Sequence, residues 1–183
     1  MYVIKVFRRG TIVDYILQTH DMCVLPDLDF LNTHTNTYKR IVGVAGYVTS
    51  FQQNQPNVGT INKEVNERLI DMWNKPLSQF IPGYKIKHAW YQRYKENDMF
   101  NLHNHGEFSE SSQSLSAVIH CDNIGSTIFL NPNYLHSNNP ELTTRTNSIA
   151  GQLLVFSSWI PHYVPPHRIS GEERTIIAFN LRN

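Results

Sequence analysis

The chain has 183 residues, 40% of them hydrophobic and 17% charged, with a formal net charge of +1. That length allows one domain with a full hydrophobic core. The near-zero charge gives no reason to expect a nucleic acid or an acidic membrane surface as partner. No apolar run approaches the roughly 18 to 20 residues that a bilayer span needs, so a soluble protein with no membrane partner is expected.

The opening run Met1-Tyr2-Val3-Ile4-Lys5-Val6-Phe7-Arg8-Arg9 places its basic residues after the apolar ones, the reverse of a secretory signal, and reads as a first strand. Residues 12–17 and 41–48 are the next strand candidates, and the Gln-, Asn- and Pro-rich stretch 50–59 reads as a loop. Ile61, Val65, Leu69, Met72 and Trp73 recur at helical spacing, which predicts a helix over 61–75. Thr60 or Asn62 can cap its start, and Pro76 stops or kinks it. From His88 onward short strands follow at 89–94, 115–120, 127–130, 152–157 and 174–181, with polar loops at 131–147 and 165–173. Short strands with such turns and no helix between them predict a β-sandwich or jelly roll, backed by the one helix. The two cysteines, Cys23 and Cys121, form no disulfide framework and no metal or redox motif, and two reduced thiols in an intracellular, cytoplasmic setting are expected.

Of the nine histidines, spacing singles out three. His103 and His105 form an H-x-H pair, which on a strand puts two imidazoles on one face. His162 follows Trp159-Ile160-Pro161, and the fold would have to bring it to the pair to close a metal site. Imidazole suits iron, zinc, copper and nickel alike, so the ligands alone do not choose the ion. Three neutral nitrogens would leave open positions, as a catalytic metal requires. Arg174 stands twelve residues after His162 and opens the apolar run Thr175-Ile176-Ile177-Ala178-Phe179, placing a fixed cation in a mostly apolar setting. Metal and cation together point to a site for a small molecule that carries a carboxylate. A surface ion pair with Glu172 or Glu173 is the other role open to Arg174. Strand parity puts Ile176, Ala178 and Asn180 on the face of Arg174, and Asn101 on the face of His103.

These pieces also carry a resemblance. The aromatic residues 90–94, His103 and His105, Ser116-Ala117-Val118-Ile119-His120, Phe156-Ser157-Ser158-Trp159-Ile160-Pro161-His162 and Arg174-Thr175-Ile176-Ile177-Ala178-Phe179-Asn180 stand in the order seen in one protein family. The chain resembles the iron- and 2-oxoglutarate-dependent oxygenases, in particular a small prolyl-hydroxylase-like group of marine bacteria and their phages, over residues 88–183. The resemblance implies a mainly β fold, a double-stranded β-helix of the jelly-roll or cupin kind with one or more N-terminal helices backing the sheet. It implies a single domain over 1–183, in which strands and helix in 1–87 support a jelly-roll core in 88–183. It further implies Fe(II) held by His103, His105 and His162, with 2-oxoglutarate and O2 as cosubstrates. Arg174 would pair with the far carboxylate of 2-oxoglutarate through two parallel hydrogen bonds. Tyr94, nine positions before His103, would lie against the same cosubstrate, with Asn101 and Asn180 as further pocket residues.

The chain departs from the pattern in three places. His105 stands where the wider family has a carboxylate ligand, a feature shared by the resembled group, and Glu107 is an alternative source if Gly106 bends the chain. Ile119 and His120 replace an aromatic pair, leaving His120 as either a site residue or a strand end. Ile176 replaces a serine whose hydroxyl would help hold the cosubstrate. The expected function is hydroxylation of a substrate that the sequence does not name. Two readings stand beside it: a cupin-like three-histidine metal protein without 2-oxoglutarate, and a jelly-roll binding or virion module with a vestigial site. A homodimer formed through sheet faces is compatible with each.

Overall fold

Backbone pairing organises this chain more than helix packing does. The computed structural model describes residues 2–8, 11–21, 36–38, 47–49, 51–55, 58–61, 63–105, 114–131 and 142–183, with the side chains of His20 and of the residues from 63 onward in those ranges. The N-terminal strands are β1 (Tyr2–Arg8), β2 (Thr11–Asp21), β3 (Asn36–Tyr38), β4 (Tyr47–Thr49), β5 (Phe51–Gln55) and β6 (Val58–Ile61). Helix α1 (Lys63–Phe80) separates them from β7 (Lys85–Tyr94), β8 (Phe100–His103), β9 (Ser114–His120) and β10 (Ser126–Leu130). The remaining strands are β11 (Thr143–Asn147), β12 (Gln152–Ser157), β13 (His162–Val164) and β14 (Arg174–Arg182).

An eight-stranded sheet has the order β1-β2-β12-β9-β14-β7-β4-β3, and a four-stranded sheet the order β11-β10-β13-β8. Every strand pair in them is antiparallel. The described residues are therefore mainly β, in two antiparallel sheets with a separate β5–β6 hairpin and one helix. No helix among them is long and apolar enough to cross a membrane.

Two apolar cores lie on opposite faces of the larger sheet. On one face Val65, Leu69, Trp73 and Leu77, the buried stripe of α1, join Ala89, Tyr91, Ala117, Ile119, Leu153, Val155, Ile177 and Phe179. The indole of Trp73 meets the edge of Phe179 with ring centroids 6.4 Å apart. Two helix asparagines add polar ties to the part of β7 that β4 does not reach. Asn66 Oδ1 accepts from the Ala89 amide at 2.8 Å and Asn74 Oδ1 from the Ile86 amide at 3.4 Å. On the other face Trp90, Tyr94, Val118, Leu154, Phe156, Ile176 and Ala178 meet Phe129 and Val164 of the smaller sheet.

Several sequence expectations are corrected. The helix does not end at Pro76 but continues to Phe80. Proline forfeits one intrahelical hydrogen bond, and the further turn is held by the burial of Leu77 and by the Ile81 amide donating to the Leu77 carbonyl at 2.9 Å. Ile61 belongs to β6 and Thr60 pairs with Gln52, so neither serves the helix start; Asn62 lies outside the described residues. Most of the stretch 50–59 is the β5–β6 hairpin, not a loop. Strand pairing uses main-chain groups that glutamine and asparagine carry like any residue, and a reading by apolar alternation misses it. The loop expected over 131–147 contains β11, where threonines supply the β-branching that favours a strand. Of the strand candidate 41–48, only Tyr47 and Val48 fall in a described strand, and 41–46 lie outside the described residues.

Leu69 is fully buried between helix and sheet. Leu69→Ala is expected to lower the unfolding free energy by about 2–5 kcal/mol through lost burial and a residual cavity. Urea denaturation checks this, and a loss under about 1 kcal/mol would contradict the seating of α1.

Candidate metal and carboxylate site

The smaller sheet brings the distant histidine to the pair. β13 lies antiparallel to β8 with His162 directly opposite His103. His105 stands beyond the end of β8, so strand alternation does not place it, contrary to the H-x-H expectation. Its amide donates instead to the Ser158 carbonyl at 2.8 Å, which folds it back over the other two. The ring centroids are then 4.2 Å apart for His103 and His162, 5.1 Å for His103 and His105, and 5.0 Å for His105 and His162. One nitrogen from each ring lies within 4.8 Å of the others.

The hydrogen bonds at the far side of each ring settle which nitrogen is free. His103 Nδ1 donates to the Asn101 carbonyl at 2.7 Å and His162 Nδ1 to the Ile160 carbonyl at 2.9 Å. His105 Nδ1 donates to Asn180 Oδ1 at 2.9 Å. Each acceptor is a carbonyl oxygen, so each Nδ1 carries the proton and each Nε2 a lone pair. The Nε2 atoms of His103 and His105 are 3.1 Å apart. Two lone pairs at that distance repel unless a cation lies between them. Ligands at right angles on a metal about 2.1 Å from each would be about 3.0 Å apart, so the donor set fits a divalent ion. All three imidazoles are held in the neutral form that ligation requires. Burial pushes His103 down to about 3, helped by His105 and opposed by the bonds to Asn101 and His162. Burial, then His103 and His105, push His162 down to about 2, and burial lowers His105. Apolar rings wall the cluster: Phe100 stands edge-on to His103 at 4.2 Å, Phe156 to His162 at 4.8 Å, and Trp90 lies 5.6 Å from His105.

Arg174 opens β14 opposite Tyr94 and is 1% exposed. Its burial excludes the surface ion pair with Glu172 or Glu173, and Glu173 pairs instead with Arg93 at 3.5 Å and Lys95 at 3.8 Å. The Arg174 guanidinium donates to the Ser126 carbonyl at 2.9 Å and to Thr127 Oγ1 at 3.0 Å, both neutral, and its Nε has no hydrogen-bond partner. Among the described residues no carboxylate lies within ion-pair distance of it. Asp122 acts on it through space only, its oxygens accepting from the Thr175 and Ile124 amides. Gly125, with φ +76°, leaves the approach clear, since a Cβ there would meet Arg174 Cδ at 3.2 Å. The Tyr94 ring lies 5.6 Å from the guanidinium, and its hydroxyl donates to Gln92 Oε1 at 2.6 Å.

His120 is buried beside this cation, with no hydrogen-bond partner for either ring nitrogen. Burial and then the charge of Arg174 push it down to about 3. It is the last residue of β9, as the strand-end reading has it, and a buried neutral polar group on the site side of the sheet. Parity along β14 holds as expected: Ile176 and Ala178 join the site-side core, while Ile177 and Phe179 pack under α1. Asn180 and Asn101 sit with the histidines, Asn101 contributing its carbonyl to His103. Glu107 lies outside the described residues. The sequence assigns no role to Ser116 and Ser158 within the segments they belong to, nor to Thr127. Only the shared parity of Ser116 and His120 on β9 signals one of them.

No family profile matches the chain, and no curated protein matches it in sequence. Solved structures do match in fold. A prolyl-4-hydroxylase from Pseudomonas putida superimposes with a TM-score of 0.55 at 15% identity, covering 92% of this chain and 93% of that one. HygX from Streptomyces hygroscopicus, with nickel and 2-oxoglutarate bound, gives 0.58 at 10% identity over 91% and 82%. The non-haem α-ketoglutarate-dependent epimerase SnoN of nogalamycin biosynthesis gives 0.62 at 12% over 92% and 77%. The chain thus shares the jelly-roll-like fold of 2-oxoglutarate-dependent oxygenases.

The buried histidines tie stability to pH. His103, His120 and His162 resist protonation when folded but regain an ordinary value near 6.5 when unfolded. Below that value the unfolded chain binds protons that the folded chain refuses. Metal-free protein should keep its full stability above about pH 6.5 and lose it as the pH falls towards 3, with a slope of up to about 1.4 kcal/mol per pH unit for each histidine. Urea midpoints between about pH 7.5 and about pH 5 read this out; a flat profile would contradict the buried neutral state.

Proposed function

We propose that the protein is an Fe(II)- and 2-oxoglutarate-dependent dioxygenase that hydroxylates a substrate still to be identified. One observation carries the reading: three neutral imidazoles gather on the side of the larger sheet that also holds a buried arginine with no carboxylate partner among the described residues. His103, His105 and His162 would hold the metal. Arg174, with Thr127 at its side and His120 nearby, would receive the far carboxylate of 2-oxoglutarate. The orphaned Arg174 Nε and His120 ring nitrogens fit such a guest, because buried polar atoms without partners are costly unless a ligand or water completes them. When bound, Fe(II) and 2-oxoglutarate supply the oxidising chemistry, in which decarboxylation of the cosubstrate is coupled to insertion of oxygen from O2 into a C–H bond.

This chain's residues do the rest. The carbonyls of Asn101 and Ile160 and the Asn180 side chain orient the imidazoles, and Trp90, Phe129 and Phe156 keep water from the site side of the sheet. The Tyr94 ring lies 5.6 Å from the Arg174 guanidinium and would stand against the cosubstrate that Arg174 receives. The proposal carries with it a double-stranded β-helix as the topology of the two sheets, a single domain over 1–183, and membership of the phage and marine bacterial group. A cytoplasmic setting and pairing into a homodimer belong to the same reading.

A second reading rests on His105, which stands in place of a carboxylate. A three-histidine metal enzyme that ignores 2-oxoglutarate would turn over with metal alone and be indifferent to Arg174→Met.

Anaerobic addition of Fe(II) and 2-oxoglutarate is expected to give a weak visible charge-transfer band, absent in His162→Ala. Arg174→Met should weaken 2-oxoglutarate binding about tenfold to a hundredfold, as the loss of a charge-assisted pair implies. A wild-type chain without the band, or an Arg174→Met chain with unchanged affinity, would refute the cosubstrate assignment.

A further inference from the structure

The three ligand histidines are not held alike. His103 and His162 each donate Nδ1–H to the main-chain carbonyl two residues earlier, Asn101 and Ile160, an arrangement that no substitution of those residues' side chains removes directly. His105 alone depends on a side chain, Asn180, which lies seventy-five residues away in sequence on β14.

That asparagine is itself fixed by a closed circuit. Ser116 donates to Asn180 Oδ1 at 3.5 Å, so the hydroxyl of Ser158, 2.9 Å from Ser116 Oγ, is the donor of that pair. The Ser158 carbonyl then accepts the His105 amide at 2.8 Å. The circuit therefore runs from the His105 amide through Ser158, Ser116 and Asn180 back to the His105 ring. Ser116 is fully buried and Ser158 nearly so. Asn180 Oδ1 receives two donors, His105 Nδ1–H and Ser116 O–H, which engages both of its lone pairs. The amide is thereby fixed with its oxygen towards His105, and the proton of His105 on Nδ1.

We infer that Asn180 is the positioning residue of the third ligand, holding His105 by the Ser116–Ser158 circuit so that its Nε2 lone pair faces the ion. A neutral acceptor orients the ring without adding charge, so the site keeps three uncharged ligands. Removing the acceptor frees the ring to rotate and to carry its proton on Nε2, where it would block ligation. A carboxylate at the same place would keep the orientation and make the imidazole a stronger donor. The inference rests on the metal site of the proposed function and concerns affinity for the ion, not turnover.

The test uses the full chain and the metal alone. Co(II) and Zn(II) affinities are measured by competition with a chromophoric chelator, alongside the visible Co(II) spectrum, for wild type, Asn180→Leu and Asn180→Asp. Asn180→Leu should bind about tenfold to a hundredfold more weakly, with a changed Co(II) spectrum, as loss of such an outer partner implies. Asn180→Asp should match or exceed wild type. This rescue separates an acceptor role from a merely structural one, because aspartate keeps the oxygen facing His105 but loses the amide's donors. Asn180→Ala substitutes for the leucine variant if that chain does not fold. Unchanged affinity without the acceptor, or aspartate binding as weakly as leucine, overturns the inference while leaving the metal site standing. A wild-type chain that binds neither ion overturns the metal site and the inference together.

Discussion

β14 is hydrogen-bonded along both edges, to β7 on one side and β9 on the other, and this double pairing determines where both the core and the site lie. With both neighbours fixed, the strand cannot slip without moving each side chain to the opposite face. Ile177 and Phe179 go under α1, whereas Arg174, Ile176 and Ala178 go towards the smaller sheet. The register with β7 shifts immediately after Asn180, which pairs with His88 while Leu181 pairs with Ile86. The extra residue on β7 is Lys87, and past the bulge Leu181 still returns to the helix-side core. Asn180 is thus the last site-facing residue of the regular pairing, and it is the one that reaches His105.

The same geometry explains why charge is distributed so unevenly. The histidine end is kept neutral by burial, which outweighs the opposing effect of the hydrogen bonds that hold each proton on Nδ1. The arginine end keeps a cation, because a guanidinium is not deprotonated in proteins; burial lowers the Arg174 value. Asp122 is the nearby anion, but it is engaged by two main-chain amides in the turn that follows β9. Its own value is raised by burial and lowered by those amides and by Arg174. A buried cation that meets only neutral acceptors is expensive. A guest carrying a carboxylate would offset that cost, so its binding and the stability of the fold are linked.

Much of this was legible in the sequence where chemistry and periodicity coincide. The bounds of β12 fall where its apolar run does, and the parity of β14 follows from alternation alone. His103 and His162 stand out by their spacing, and Arg174 as a fixed cation opening an apolar run. What escaped was either polar or nonlocal. Apart from Arg145 and Phe51, β11 and β5 are made of threonine, asparagine and glutamine, whose pairing is a main-chain property. Pro76 was read as a stop because local propensity says so, yet burial of Leu77 carries the helix past it. His105 was assigned to the right cluster for an incomplete reason, since a bond to Ser158 rather than strand alternation turns it inward. The circuit through Ser116, Ser158 and Asn180 joins residues 42, 64 and 75 positions apart, a relation that no local pattern encodes.

The third histidine then acquires a physical meaning. A site with one carboxylate ligand cancels part of the ion's charge before any guest arrives. Three imidazoles cancel none of it, and Arg174 adds a further positive charge on the same face of the larger sheet. Under the proposed function, a dicarboxylate would supply the missing negative charges, with Arg174 receiving one of them. Such a metal-loaded site would attract a dianion more strongly than a carboxylate-bearing one, and would accommodate less well a monoanion that satisfies only one end. Asn180 maintains that imbalance, because an uncharged amide is the partner that orients His105 without neutralising the ion. On the proposed function, His105 and the Asn180 that orients it would thus act on the same quantity, the net charge of the site before a guest binds.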